Sequence, residues 1–159
     1  RDMIMKRFTD LLADALTRVT ELMPWDLHPR LALAQAPLLL DVREPAEFAQ
    51  VRLAGSLNVP RGLLEQACEW DFDDTVPALA GGRNTEIVVL CRSGNRSVLA
   101  ADLMLTLGFK HVVSLKTGLR GWNDAELPLI DATGGPADVD AAEAWLASRV
   151  RADQRRPRA

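Results

Sequence analysis

The chain has 159 residues, of which 48% are apolar and 26% charged, and its formal net charge is −3. This composition is typical of a globular protein with one domain and terminal extensions. The nearly balanced charge gives no support to nucleic-acid binding, no apolar run reaches the length of a membrane span, and the first residues lack the order of a signal peptide. The cytoplasm is therefore the expected location.

The two cysteines, Cys68 and Cys91, are too few for a disulfide scaffold. No CxxC pair or Cys/His cluster predicts a metal site, and we expect no cofactor. His28 and His111 each stand alone and are interpreted as surface or packing residues. Cys68 lies in a helical pattern with no helix start beside it, so we interpret it as a packing cysteine. The alternative is that it resolves an oxidised Cys91.

The N-terminal part of the chain is amphipathic. Residues 3–23 carry apolar side chains at helical spacing and predict a helix that ends near residues 17–19. We expect this helix to pack on the domain, and the alternative is a dimer contact through its apolar face. Residues 19–22 fit either the last turn of the helix or a short strand. Residues 24–34 predict a further helix, broken near Pro29.

Short strands and helices alternate through the middle of the chain. Residues 37–42 predict a buried strand, and residues 57–59 predict a brief strand bounded by turn formers. Helical segments are predicted at residues 43–50, 61–69 and 76–80, the first after a turn and the last within a loop.

The clearest pattern lies between residues 86 and 108. Residues 87–90 are an unbroken apolar run, which suits a strand buried on both faces. Residues 97–107 predict a helix, with Gly108 just past its end. A short loop at residues 91–96 joins the two.

The remaining segments continue the alternation. They are a strand at residues 111–115, a helix at 119–125, a linker at 134–136, an amphipathic helix at 138–150 and a disordered tail at 151–159. Strands that alternate with helices indicate an α/β fold with a parallel sheet. In such sheets ligands bind at the carboxyl ends of the strands, which is where the loop at residues 91–96 lies.

This loop reads CRSGNR and combines a thiol, two guanidinium groups and the start of a helix. The unpaired amides of a helix N-terminus carry a positive partial charge. Such amides and cationic neighbours stabilise a thiolate and hold an anion against it. The loop therefore predicts a nucleophilic Cys91 that faces an anion pocket. The alternative is an inert, buried cysteine at the end of a strand.

Four sequence blocks resemble the rhodanese family and occur in the family's order. They are LLLDVREPAEF, RLAGSLNVP, IVVLCRSGNRS and TGLRGWNDAELP, at residues 38–48, 52–60, 87–97 and 117–128. The resemblance implies a rhodanese-like α/β fold with a central, mainly parallel five-stranded sheet flanked by helices. We expect this domain at residues 19–130, with an amphipathic helix at 1–18 and a linker, helix and basic tail at 131–159.

The resemblance also implies sulfurtransferase activity without a metal or cofactor. Cys91 would take the outer sulfur of a small anionic donor such as thiosulfate, carry it as a persulfide, and pass it to cyanide or a thiol. Asp41 and Arg43 would support the active-site region, and Trp122 would belong to the core. The donor would bind the substrate loop, whose residues are Arg92, Ser93, Gly94, Asn95, Arg96 and Ser97.

Two positions depart from the family's pattern. Arg52 stands where the second block usually begins with a histidine, and we expect it to change a structural hydrogen bond or to add positive potential near the site. Thr117 stands where the last block usually has its first glycine. We expect Thr117 to alter the turn before Gly118.

Two other functions are compatible with parts of the pattern. A phosphatase of the same fold uses a loop one residue longer and a histidine before the cysteine, whereas here four residues separate Cys91 from Arg96 and Leu90 precedes Cys91. A sulfur carrier or regulatory module would act on a partner protein, with the terminal helices as a docking surface. We expect no nucleic-acid or membrane partner, and a monomer or a homodimer.

Overall fold

Residues 4–158 are described by the computed structural model. The strands in this part of the chain are β1 (Glu21–Leu22), β2 (Leu38–Asp41), β3 (Val51–Arg52), β4 (Leu57–Asn58), β5 (Glu86–Leu90), β6 (His111–Leu115) and β7 (Ile130–Asp131). The α-helices are α1 (Phe8–Leu16), α2 (Pro24–Leu27), α3 (Pro45–Gln50), α4 (Leu64–Ala67), α5 (Pro77–Ala80), α6 (Asn95–Thr106), α7 (Gly118–Asp124) and α8 (Val139–Leu146). None of these helices is long and apolar enough to cross a membrane.

The central sheet has five strands in the order β1-β6-β5-β2-β4, and all of its neighbouring strands run parallel. The predicted α/β fold with a five-stranded sheet is therefore confirmed. Strands β3 and β7 form a separate antiparallel pair. Since β5 lies in the middle of the sheet, the loop that follows it opens at the centre of the carboxyl edge, where ligands bind in parallel sheets.

Alternate side chains of β5 enter different cores. Ile87 and Val89 pack on one face of the sheet, beneath α6, and Val88 and Leu90 pack on the other face. The second face is covered by α7 and α8, and it includes Trp122, which is fully buried and donates its Nε1–H to the carbonyl of Pro128 at 3.0 Å. This burial on both faces explains why the strand is an uninterrupted apolar run.

The N-terminal helix starts later than the sequence predicts. Helix α1 begins at Phe8 because the side chain of Asp10 accepts a hydrogen bond from the amide of Arg7 at 2.8 Å and caps its first turn. The predicted helical residues 1–3 lie outside the described residues. Residues 19–22 were expected to form either the last turn of the helix or a short strand. Residues 21–22 form a strand, which pairs with β6.

The helix predicted over residues 24–34 is broken near Pro29, as expected. Helix α2 ends at Leu27, and a 3-10 helix, His28–Ala32, continues from it. Proline has no amide hydrogen to donate to an α-helical turn, which explains the break.

The C-terminal segment packs more closely than its pattern predicts. Helix α8 ends at Leu146, four residues before the predicted end, and Ala142 and Leu146 are buried beside α7. Residues 134–136, expected to be a linker, close a tight turn at residues 131–134, in which the amide of Gly134 donates to the carbonyl of Asp131 at 3.0 Å. In the tail, where we expected no order, Ala152–Gln154 form an exposed 3-10 helix.

Candidate functional site

The loop after β5 is shorter than predicted because α6 begins at Asn95 rather than at Ser97. Gly94 caps the helix with a φ of 97°, in the left-handed region that favours glycine. A side chain at this position would place its Cβ 3.2 Å from the amide nitrogen of Thr117. The tight turn at Gly94 therefore directs the first amides of α6 back toward Cys91.

The sulfur of Cys91 lies inside this turn. Cys91 Sγ accepts hydrogen bonds from the amides of Gly94 at 3.1 Å and Ser97 at 3.3 Å. The Cys91 side chain is only 1% exposed. The arrangement can stabilise negative charge on the sulfur, because two amides of a helix N-terminus point at it.

A pair of buried hydroxyl groups continues from the sulfur into the sheet. The thiol of Cys91 donates to Ser97 Oγ at 3.3 Å, and Ser114 Oγ donates to the same Ser97 oxygen at 2.7 Å. Both serines are 0% exposed. Ser114 lies on β6. It was not predicted as a site residue, because one serine in a strand pattern gives no indication of its neighbours in the fold.

Arg96 is already paired with a carboxylate. Its Nη1 and Nη2 donate to the two carboxylate oxygens of Glu47 on α3, both at 2.9 Å. The Arg96 hydrogen bonds hold the pKa of Glu47 below its usual range, and the Glu47 carboxylate raises the pKa of Arg96. Glu47 was not predicted as a site residue, since nothing in a helical pattern indicates a partner 49 residues away.

Arg92 is directed to the C-terminal segment instead. Its Nη1 donates to the carbonyl of Leu146, at the end of α8, at 3.3 Å. Of the other loop residues, Ser93 is half-buried and Asn95 is exposed, and neither side chain forms a hydrogen bond with any described residue. The two guanidinium groups of the loop are thus engaged with different elements, that of Arg96 with α3 and that of Arg92 with the end of α8.

A buried ion pair lies at the carboxyl end of β2, beside the loop. Arg43 and Asp41 are 1% and 0% exposed, and Arg43 Nη2 lies 2.8 Å from Asp41 Oδ2. Arg43 also donates to the carbonyls of Val51 at 2.6 Å and Glu47 at 3.4 Å. Asn58 donates its amide to the carbonyls of Asp41 and Arg43. The pair therefore ties β2 to the helix that carries Glu47.

The N-terminus of α7 holds the other side of the loop. The amides of Leu119 and Arg120 donate to the carbonyls of Cys91 and Arg92, both at 2.9 Å. A Cβ on Gly118 would come within 2.6 Å of the Arg92 backbone. The contact requires glycine here, and it orders the backbone on which Cys91 sits.

The two departures from the family pattern have local effects. Thr117 adopts the turn with a φ of 66°, a conformation that strains a β-branched residue. Arg52 donates from Nη1 to the carbonyl of Asp131 at 3.5 Å and lies 5.5 Å from the centre of the Phe48 ring. Arg52 therefore has a backbone hydrogen-bond partner, and an effect of Arg52 on the potential near Cys91 stays a prediction.

Other residues do not form a second reactive centre in the described part of the chain. Cys68 is buried and free, and burial raises the pKa of its thiol to about 11. Within residues 4–158 no group of three His, Cys, Asp or Glu residues is arranged to hold a metal ion. A cavity of about 650 Å³ lies at the opposite edge of the sheet, lined by Glu86 and His111, where β5 and β6 begin. Because a cavity of this volume lies away from Cys91, cavity volume alone does not identify the reactive site.

Comparisons with known proteins agree on one family. A family model described as the rhodanese-like domain matches residues 27–125. A putative mitochondrial thiosulfate sulfurtransferase of Schizosaccharomyces pombe is 33% identical over 103 residues, which are 63% of this chain and 72% of that protein. A sulfurtransferase of Allochromatium vinosum is 30% identical over 116 residues, which are 73% of this chain and 99% of that protein.

A solved structure is similar over most of the chain. It is the protein of unknown function RPA3614 from Rhodopseudomonas palustris CGA009, described as a possible tyrosine phosphatase. The two structures align with a TM-score of 0.70 at 26% sequence identity, and the alignment covers 80% of this chain and 97% of the other. The similarity extends beyond residues 27–125, because 80% of the chain is more than that range contains.

Proposed function

Because the chain belongs to the rhodanese-like domain family, we propose that it transfers sulfane sulfur through a persulfide at Cys91. Its relatives support a general role as a sulfurtransferase or sulfur carrier. The finer proposal is a thiosulfate sulfurtransferase that takes sulfur from thiosulfate or a similar small anion. We propose that the rhodanese domain spans residues 19–130 and that the protein acts in the cytoplasm as a monomer or homodimer.

One observation carries the proposal. The amides of Gly94 and Ser97 point at Cys91 Sγ from 3.1 and 3.3 Å, at the carboxyl end of the central strand. A thiolate held by two such amides is a ready nucleophile. We propose that the other backbone amides of residues 92–97 donate to the terminal sulfur of the persulfide.

The reaction has two half-reactions. The Cys91 thiolate attacks the outer sulfur of thiosulfate, a new S–S bond forms, the donor's own S–S bond breaks, and sulfite leaves with the bonding electron pair. Cyanide or a thiolate then attacks the terminal sulfur of the persulfide, which regenerates the Cys91 thiolate. No external oxidant or reductant is needed, and the two steps predict ping-pong kinetics.

Different groups of the loop are proposed to bind different parts of the donor. We propose that the backbone amides of residues 92–97, which include Ser93 and Asn95, hold the anionic oxygens, and that Arg92 attracts them. Arg96 contributes less than its position in the sequence suggests, because Glu47 already neutralises it. The buried pair of Asp41 and Arg43 supports the loop from β2.

Two alternative functions can be distinguished from sulfur transfer by experiment. RPA3614 is described as a possible tyrosine phosphatase, and the shared fold makes phosphatase activity the second candidate. The ring between Cys91 and Arg96 has four residues, which fits sulfur better than a phosphoryl group. A sulfur carrier for a partner protein is the other candidate.

The test is mass spectrometry of the protein after incubation with thiosulfate. We expect the peptide that contains Cys91 to gain one sulfur atom, Cys91→Ser to abolish the gain, and Cys68→Ala, the matched control, to retain it. No adduct with any sulfur donor would contradict the proposal. Turnover of an aryl phosphate without sulfur transfer would favour the phosphatase, and rapid transfer only to a partner protein's thiol would favour the carrier.

A further inference from the structure

A second cavity, of about 330 Å³, opens beside the Cys91 loop. Its lining residues come from three parts of the fold: the end of α3, the loop itself and the segment around the end of α8. They are Gln50, Arg92, Trp145, Ala147 and Arg149. Arg92, the residue after Cys91, is one of the lining residues, so the cavity borders the loop that carries the proposed nucleophile.

The cavity carries positive charge that no carboxylate neutralises. Within the described part of the chain, neither Arg92 nor Arg149 lies within 4.0 Å of a carboxylate oxygen. Each donates to a backbone carbonyl instead, Arg92 to Leu146 at 3.3 Å and Arg149 to Ala144 at 2.9 Å. Each guanidinium therefore keeps further N–H donors for a ligand. Arg96, by contrast, is paired with the carboxylate of Glu47.

The C-terminal segment that builds most of this cavity is held firmly in place. Leu146 is 2% exposed in the core, and Asn123 on α7 donates its side-chain amide to the carbonyl of Val139 at 3.0 Å. The bond from Arg92 to Leu146 adds a direct link to the loop. This segment lies outside residues 27–125, so the extension supplies Trp145, Ala147 and Arg149 to the cavity, and the matched domain supplies Gln50 and Arg92.

We infer that this cavity binds the carboxylate of an organic thiol that accepts sulfur from Cys91. Two guanidinium groups suit a carboxylate, and the indole of Trp145, which is 38% exposed, offers an apolar face to the carbon chain of the same molecule. The volume falls in the lower part of the range for organic ligands and exceeds the need of a small inorganic anion. The inference rests on the proposed function, since it names the acceptor class for that reaction.

The step is balanced without a further reagent. The acceptor's thiolate attacks the terminal sulfur of the Cys91 persulfide, a new S–S bond forms on the acceptor, and the bond to Cys91 breaks. The Cys91 thiolate leaves with the electron pair, and the acceptor departs as a persulfide. The carboxylate takes no part in the bond changes and only places the acceptor.

The kinetic test compares two acceptors that differ only in this carboxylate, dihydrolipoate and dihydrolipoamide. We expect Arg149→Gln to lower the ratio of kcat/KM for dihydrolipoate to kcat/KM for dihydrolipoamide about five-fold. This is the size of effect expected when one exposed charge pair is lost. Arg155→Gln removes the same charge from an exposed position outside the cavity and should leave the ratio unchanged. An unchanged ratio in Arg149→Gln, or an equal fall in both variants, would overturn the inference.

A binding test separates this inference from the proposed function. In full-length Cys91→Ser protein, which cannot exchange thiols at the site, calorimetry should show that lipoate binds about five-fold tighter than lipoamide. Adding Arg149→Gln should remove the preference. Equal binding of the two ligands refutes the subsite even if sulfur transfer is observed. The protein could also bind lipoate more tightly than lipoamide, and lose this preference in Arg149→Gln, although it accepts sulfur from no donor. That result would support the subsite and refute the proposed transfer.

Discussion

The pairing of Glu47 with Arg96 makes a specific prediction about the proposed donor site. Glu47→Gln removes the negative charge but keeps the shape of the side chain and one hydrogen-bond acceptor. The Glu47 carboxylate accepts two hydrogen bonds from Arg96, both 2.9 Å long, and one from the amide of Glu44 at 3.0 Å. The two bonds from Arg96 are the only ones through which a carboxylate engages a guanidinium of the loop within residues 4–158. The substitution should therefore weaken the fold slightly and release positive charge beside Cys91.

The size of the effect follows from the exposure of the pair. The side chains of Arg96 and Glu47 are 37% and 33% exposed, so solvent screens part of the attraction. Exposed pairs contribute about 0.2–1 kcal/mol, and breaking a buried pair costs about 3–5 kcal/mol. We expect the free energy of unfolding to fall by about 1 kcal/mol. The released guanidinium of Arg96 should lower the KM for thiosulfate about three-fold, because solvent screens its attraction for the anion as it screens its attraction for Glu47.

The pH dependence of stability gives an independent check. The Arg96 hydrogen bonds depress the pKa of Glu47, so the pair's contribution is fully present at pH values above the ordinary pKa and is lost as the pH falls through the depressed one. The stability difference between wild type and Glu47→Gln should therefore be present at pH 7 and disappear in acid. Urea denaturation at both pH values measures it.

A matched control distinguishes a local effect from a general change in charge. Glu86 is also partly exposed and paired, with Arg30, but it begins β5 at the opposite edge of the sheet from Cys91. Glu86→Gln should leave the KM for thiosulfate unchanged. An unchanged or higher KM in Glu47→Gln, or an equal decrease in both variants, would refute the assignment of Arg96 to the donor site.

Four further outcomes follow from the structure. Asp41→Asn leaves Arg43 buried without a full counter-charge and should lower the free energy of unfolding by about 3 kcal/mol in urea denaturation. Thr117→Gly should raise it by about 1 kcal/mol, since glycine adopts a φ of 66° without strain; a lower value would show that Thr117 is not strained. Ser114→Ala should lower kcat for sulfur transfer several-fold, because Ser97 loses its 2.7 Å donor, and an unchanged kcat would exclude a role for that bond. Cys68 should resist iodoacetamide at pH 8 until the protein unfolds, since burial raises its pKa to about 11, and rapid native labelling, located by peptide mass spectrometry, would contradict its packing role.

Local patterns predicted the framework of the site. The apolar run of residues 87–90 predicted the central strand, because a strand buried on both faces needs apolar side chains at every position. Residues 111–115 were predicted as a strand with the observed bounds, and Gly108 was placed correctly past the end of α6. These features depend on neighbours in the chain, so a sequence reading can locate them.

The side-chain partners depended on the tertiary structure. The sequence placed Arg92 and Arg96 together beside the thiol, but only the folded chain shows that Glu47 takes one guanidinium and that the other is directed to the end of α8. The hydrogen bond from Ser114 to Ser97 and the cavity lined by Trp145 and Arg149 were likewise not predicted. A hydrogen bond or a cavity wall depends on which surfaces the packing of helices on the sheet brings together. The sequence by itself therefore determined the fold and the thiol at the end of β5, and the packing decided which charges surround that thiol.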